Sequence, residues 1–105
     1  MHNDPVLSML GIAAKSGNVV SGEFSTEKAV KTGHAYLVIV SAEASGNTKK
    51  SFCNMTDFYH VPCYCYGSKE ALGRCIGKEF RASLAVIDEN LAKAVEGKLE
   101  MIKTE

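Results

Sequence analysis

Apolar and polar positions along the chain predict helices and strands in alternation. Apolar residues recur at helical spacing after Asp4 and Pro5, in a segment that ends near Lys15. A continuous apolar run, "AYLVIV" at residues 35–40, is rich in β-branched residues and bounded by turn residues. Such a run is typical of a central strand that is buried on both faces. The pattern therefore predicts a sheet whose middle strand is covered by helices on each side.

The remaining segments complete this alternation. Further strands are predicted at residues 18–20, 62–66 and 81–88, and further helices at residues 24–32, 45–60, 68–76 and 89–99. Ser68 caps one of these helices, and Ser45 or Asn47 caps another, while Gly17 and Gly33 follow helix ends. Strands separated by helices indicate an α/β/α layered domain around one sheet. Neither a linker nor a repeat divides residues 1–105, so we expect a single domain.

The composition suits a globular domain with a hydrophobic core. The chain has 105 residues, of which 46% are hydrophobic and 23% are charged. The longest apolar run is too short to span a bilayer, and the N-terminus lacks the pattern of a signal peptide, so we expect a cytoplasmic protein without a membrane partner. Twelve basic residues balance twelve acidic ones. Taken alone, that balance weighs against a nucleic-acid binder, which is commonly basic overall.

The cysteines raise the possibility of a metal site. Cys63 and Cys65 alternate along a predicted strand and so point to one face, where Cys53 and His60 could join them. Structural zinc sites, however, usually use CxxC-type knuckles in loops. We therefore expect no metal and four reduced cysteines that act as small buried hydrophobes, namely Cys53, Cys63, Cys65 and Cys75. A metal or redox protein built on these cysteines is the weaker alternative.

None of the common catalytic signatures occurs in the sequence. It has no phosphate-loop lysine motif, no GxGxxG after a strand, no HExxH and no GxSxG. The three histidines are scattered, and we expect surface or capping roles for His2, His34 and His60. The sequence thus predicts neither enzymatic activity nor a cofactor.

One unusual feature is a helix start within "VVSGEFSTEKAVKTG", residues 19–33. Gly22 allows another backbone to approach closely, and a large aromatic residue, Phe24, lies in the first turn. A helix N-terminus carries unpaired N–H groups and a partial positive charge, which suit phosphate oxygens or guanine acceptors. Lys28 lies close enough to face a phosphate. Two simpler interpretations stay open: Gly22 forms an ordinary strand-to-helix turn, or Phe24 packs on its own helix.

The second feature is the segment "LGRCIGKEFR", residues 72–81. Gly73 and Gly77 flank a loop that can expose backbone donors, and RNA is read chiefly through splayed bases and bulges. Lys78 and Arg81 add local positive charge that the neutral overall balance hides. Alternatively, these two cations form surface ion pairs with nearby carboxylates, which contribute little.

These segments make the chain resemble the bacterial YlxQ-type proteins of the ribosomal L-seven-Ae/L-thirty-e superfamily. The matching stretches are "LGIAAKSGNVVSGE", "LVIVSAEASGNTKK", "FYHVP" and "SKEALGRCIGKEFRASLAVID", in collinear order over residues 6–95. The resemblance implies an L-thirty-e-like three-layer α/β/α sandwich with a mixed four-stranded sheet, whose last strand is antiparallel to the others. It also implies that the helix start and the loop lie at one edge of the sheet and bind RNA bent at a kink-turn.

The resemblance assigns RNA contacts to two groups of residues. The helix contributes Gly22, Glu23, Phe24, Ser25, Lys28 and Lys31, and the loop contributes Ile76, Gly77, Lys78, Glu79, Phe80 and Arg81. The archaeal pattern has an Asn-Glu pair, which reads guanine edges, where this chain has Phe24 and Ser25. We expect a ribosome-associated, monomeric RNA-binding protein that does not bind DNA. The alternative is a protein-interaction module that kept the fold and lost RNA affinity through Phe24 and Ser25.

Overall fold

The computed structural model describes residues 4–103, which form nine elements in the predicted order. The helices are α1 (Pro5–Lys15), α2 (Glu23–Lys31), α3 (Gly46–Phe58), α4 (Lys69–Cys75) and α5 (Glu89–Lys103). The strands are β1 (Val19–Ser21), β2 (Leu37–Val40), β3 (Cys63–Cys65) and β4 (Ser83–Val86). Most strands are shorter than predicted, and α5 is longer. His2 lies outside the described residues.

The strands form one mixed sheet in the order β1-β4-β2-β3. Strand β4 is antiparallel to β1 and β2, and β2 is parallel to β3. Strand β4 is therefore antiparallel to the other three, as the resemblance implied. Because β1, β2 and β3 run in the same direction, they end at the same edge of the sheet, and the helix that follows each strand begins there.

Strand β2 fixes the layers of the fold. Leu37 and Ile39 point to a core formed with α1, α4 and α5, while Val38 and Val40 point to a core formed with α2 and α3. All four side chains are fully buried. Alternation along a strand sends successive side chains to opposite faces, so a continuous apolar run requires cover on both. The predicted central strand and the α/β/α sandwich are confirmed.

Side-chain caps fix where several helices begin. Asp4 Oδ1 accepts hydrogen bonds from the backbone N–H groups of Val6 and Leu7, at 2.9 and 3.0 Å. Ser45, rather than Asn47, caps α3. His60 adopts a positive φ of 60° just beyond the C-cap of α3, which confirms its capping position.

The expected burial of all four cysteines is wrong for Cys53 and Cys65, which are exposed. Cys65 lies on β3, which is an edge strand, so its side chain has less cover than one at the centre of the sheet. Cys63 and Cys75 are half-buried, and burial raises the pKa of each thiol to about 11. Within residues 4–103, no three His, Cys, Asp or Glu side chains are grouped so as to hold a metal ion. In the same range, no helix combines the length and apolar character needed to cross a bilayer.

Candidate nucleic-acid interface

Three helices begin at the edge where β1, β2 and β3 end, and their caps differ. Ser45 Oγ accepts from Thr48 N at 3.1 Å, and Ser68 Oγ accepts from Ala71 N at 3.0 Å. Helix α2 begins after Gly22, which supplies no side-chain cap. The first N–H groups of α2 are therefore left for an acceptor outside the helix, next to the positive end of its dipole.

The backbone at Gly22 has an unusual conformation. Its φ of 93° and ψ of 158° lie in a region that essentially only glycine adopts. The residue is held there from both sides, because Gly22 N donates to Ser83 O at 2.9 Å and Gly22 O accepts from Thr26 N at 3.0 Å. A Cβ built at Gly22 would meet no atom within 4 Å. The backbone of this strand-to-helix turn therefore requires glycine, and the space in front of the hinge is open. The ordinary-turn interpretation stays open.

Arg81 connects the helix start to the loop. Its Nε donates to Ser21 Oγ at 2.9 Å, and its Nη1 donates to Phe80 O at 2.8 Å. Its backbone N–H donates to Lys69 O at 3.0 Å, which holds the end of the loop against α4. The two predicted segments thus lie side by side at one edge of the sheet, as the resemblance implied.

The loop, residues 76–81, is held by backbone packing, and the expected role of Gly73 is wrong. Gly73 lies inside α4 and is buried, so it does not flank the loop that begins at residue 76. A Cβ at Gly73 would lie 2.3 Å from Glu79 O. Lys78 N also donates to Gly73 O at 2.8 Å. Gly77, with a φ of 79°, makes the turn that brings the chain back onto the helix.

Two phenylalanines are displayed at this edge. Phe24 is 76% exposed and Phe80 is 62% exposed. Phe24 therefore does not pack as a staple on its own helix, and that interpretation is wrong. Ile76 is half-buried against the α1–α4–α5 core, so it is less available to a base than the resemblance implied. Phe80 provides the exposed apolar side chain of the loop.

The cations differ in whether they have carboxylate partners. Lys31 forms an ion pair of 2.6 Å with Glu27, whose hydrogen bond raises the pKa of Lys31. Lys28 and Lys31 both lie in the last turn of α2, and Lys31 is the farther of the two from Gly22. Among the ion pairs within residues 4–103, none involves Lys28, Lys78 or Arg81. The surface-pair interpretation of Lys78 and Arg81 is therefore wrong for the described residues.

The charge of this edge is mixed, because carboxylates lie among the cations. Glu23 opens α2, and Glu79 is exposed in the loop. Glu43 Oε1 accepts from Lys69 N at 3.0 Å and so caps α4. An RNA bound here would therefore be held through a few positioned contacts and not by a broad basic field.

A groove beside α2 was not foreseen from the sequence. Its volume is 340 Å³, and it lies along α2 and the edge strand β1. It is lined by Val20, Phe24, Ser25, Lys28, Ala29, Thr32, His34 and Ile87. The spacing of Phe24 and Lys28, one helical turn apart, predicts a shared face. The residues at the bottom of the groove could not be predicted from local sequence, because they come from segments far apart in the chain.

A family match agrees with this geometry. The family described as "Ribosomal protein L7Ae/L30e/S12e/Gadd45 family" matches residues 4–96. The chain belongs to this family. The resemblance noted from the sequence is thereby confirmed.

Individual relatives support the same assignment. RNA-binding protein YlxQ of Bacillus subtilis is 39% identical over 84 residues, covering 80% of this chain and 84% of that protein. Large ribosomal subunit protein eL30 of Sulfolobus acidocaldarius is 34% identical over 84 residues, covering 78% of this chain and 81% of that protein. A solved structure of a Bacillus halodurans protein of unknown function matches with a TM-score of 0.90 and 33% identity, covering 93% of this chain and 99% of that one.

Proposed function

We propose that this protein binds structured RNA bent at a kink-turn or a similar motif. The binding surface consists of the α2 start (Gly22–Ser25) with Lys28, and the 76–81 loop. One observation carries the proposal: the Arg81–Ser21 hydrogen bond of 2.9 Å holds an uncapped helix start beside a loop that displays Phe80. A bent RNA presents phosphates and unpaired bases close together, and this surface offers partners for both.

Each part of the surface has a separate role. The free N–H groups of α2 and the ammonium of Lys28 bind phosphate oxygens. The exposed rings of Phe24 and Phe80 stack on unpaired bases. Because every base has a π-face, this stacking does not depend on which base is present. Since Phe24 and Ser25 replace the guanine-reading pair of the archaeal pattern, stacking dominates over reading of base edges. Lys31 is left out, because Glu27 already pairs with it.

The names of the relatives support an RNA partner and a place on or near the ribosome. One relative is called an RNA-binding protein and another a large ribosomal subunit protein. On this proposal the protein acts in the cytoplasm, as a monomer, without a cofactor and without catalysing a reaction. Because it neutralises only about three or four phosphates, the log–log slope of affinity against salt is about three.

Fluorescence anisotropy tests the proposal. A kink-turn RNA and a straight duplex of equal length are titrated with the parent protein and with Lys28→Ala, Arg81→Ala and Lys31→Ala. The parent should prefer the kinked RNA. Lys28→Ala and Arg81→Ala should each weaken that binding about three- to tenfold. Lys28→Ala loses a phosphate contact, and Arg81→Ala releases the loop from the helix start. Lys31→Ala is the matched control and should bind like the parent.

Two results would contradict the proposal. If no form prefers the kinked RNA, the fold serves here as a protein-interaction module. If Lys31→Ala weakens binding as much as Lys28→Ala does, Lys28 does not make the specific phosphate contact that the proposal assigns to it. Thermal melts of all four proteins separate lost binding from lost folding.

A further inference from the structure

We propose that the groove between α2 and β1 binds one unpaired nucleobase of the RNA. This α2–β1 groove is the 340 Å³ groove that Phe24, Lys28 and His34 line. The inference rests on the proposed function and deepens it, since it assigns a base to a site outside the 76–81 loop. The proposed ligand is one nucleotide of the RNA, with its planar base in the groove and its phosphate at the rim.

The floor and one wall of the groove suit a flat ring. Val20, Ala29 and Ile87 form an apolar floor; Ala29 is 7% exposed, and the other two pack against the α2–α3 core. Phe24 stands at the groove with 76% of its surface exposed, so its ring is free to stack. The volume lies at the low end of the roughly 300–1,000 Å³ that small-ligand sites span. A single base fits this scale better than a helix or a lipid chain.

The polar groups favour a nucleotide over an apolar ligand. Residues four apart on a helix lie about 5–6 Å from each other, so a base stacked on Phe24 brings its own phosphate within reach of Lys28. Lys28 has no carboxylate partner within residues 4–103. His34 Nδ1 is engaged with Thr32 Oγ1 at 2.8 Å, which leaves the other ring nitrogen for the edge of a base.

Continuity with the proposed RNA surface also identifies the occupant. Phe24 and Ser25 belong both to the α2 start and to the groove. An RNA that places a phosphate on the first N–H groups of α2 therefore has its neighbouring nucleotide at the mouth of the groove. The two exposed rings, Phe24 and Phe80, then hold different bases on the two sides of the bend.

The test compares two kinked RNAs that differ only in one unpaired nucleotide. One RNA carries adenosine at that position, and the other carries an abasic sugar. The parent should bind the adenosine form about five- to hundredfold more tightly, which is the range that stacking on an aromatic side chain provides. In Phe24→Ala this preference should fall to near unity. Phe58→Ala is the matched control, because Phe58 is 74% exposed but lies at the end of α3, and it should keep the preference.

Methyl NMR with the same two RNAs locates the base. The methyl signals of Val20 and Ile87 should shift with the adenosine RNA and stay in place with the abasic RNA. If the parent binds both RNAs equally, or if Phe24→Ala keeps the preference, the groove proposal is overturned while RNA binding stands. Base-dependent shifts confined to Ile76 would assign the base to the loop and also overturn it. A parent that binds neither RNA overturns the proposed function together with this inference.

Discussion

A single methyl group added at Gly73 would push the 76–81 loop off α4. The added Cβ would lie 2.3 Å from Glu79 O, 2.5 Å from Glu79 C and 2.9 Å from Phe80 N. Contacts become ordinary only at 3.4 Å, so the loop must retreat by 3.4 − 2.3 = 1.1 Å. These neighbours are backbone atoms, so no change of rotamer relieves the clash. The retreat strains the hydrogen bond of 2.8 Å from Lys78 N to Gly73 O.

The energy of Gly73→Ala has two opposing parts. Replacing glycine by alanine inside a helix stabilises it by about 1 kcal/mol. Overpacking costs about 1–3 kcal/mol, and a weakened hydrogen bond costs about 1 kcal/mol more. We therefore expect Gly73→Ala to lower the free energy of unfolding by about 1–3 kcal/mol. In a domain of this size that lowers Tm by about 4–8 °C per kcal/mol.

Thermal melting and RNA titration of Gly73→Ala together check this reasoning. Tm should fall, and affinity for kinked RNA should fall at least as far as in Arg81→Ala, because the whole loop moves. Gly97→Ala is the control: it changes the same residue type inside α5, where a Cβ meets nothing within 4 Å, and it should raise stability by about 1 kcal/mol. A Gly73→Ala protein that melts at or above the parent and binds RNA equally well would refute the packing argument.

Three further predictions concern other parts of the fold. Gly22→Val should cost about 1–3 kcal/mol, because valine is strained at a φ of 93°, and it should also weaken RNA binding; an unchanged Tm would show that the hinge relaxes. At pH 8, iodoacetamide should alkylate Cys65 faster than Cys63, because burial raises the pKa of Cys63 to about 11; peptide mass spectrometry over time measures both, and equal rates would contradict the burial. Asp4→Ala should lower the free energy of unfolding by about 1–2 kcal/mol, because it removes the N-cap of α1. Tyr66 OH also donates to Asp4 Oδ2 at 2.7 Å, so the two side chains share one interaction. Denaturant melts should therefore show that Tyr66→Phe lowers the free energy of unfolding less in the Asp4→Ala protein than in the parent.

Features set by local chemistry were predictable from the sequence. Ser68 caps α4, Gly33 follows α2 with a φ of 79°, and the apolar run at residues 35–40 contains the doubly buried β2. Each depends on a few neighbouring residues, whose preferences act within a turn or a strand. The antiparallel β4 came from the family resemblance, and the sheet order was not predicted, since no local pattern specifies which strands pair.

Features that depend on contacts across the chain were not predictable. Gly73 was expected to flank a loop, but its contact with Glu79 exists only once the loop folds back on α4. Cys65 looked like a core residue, and its exposure depends on β3 being an edge strand. The α2–β1 groove has a floor from Val20 and Ile87, which are adjacent only because β1 pairs with β4. Local sequence carries no signal for any of these.

The central claim is that the α2 start and the 76–81 loop form one surface for kinked RNA, and an amide NMR titration tests it most directly. Uniformly ¹⁵N-labelled protein is titrated with a kink-turn RNA, and every backbone amide is followed. The account predicts that the amides of Glu23, Phe24 and Ser25 and those of residues 77–81 shift together, along one binding curve. Shifts confined to the opposite end of the sheet, around Phe58 and Tyr59, or no shifts at saturating RNA, would contradict it.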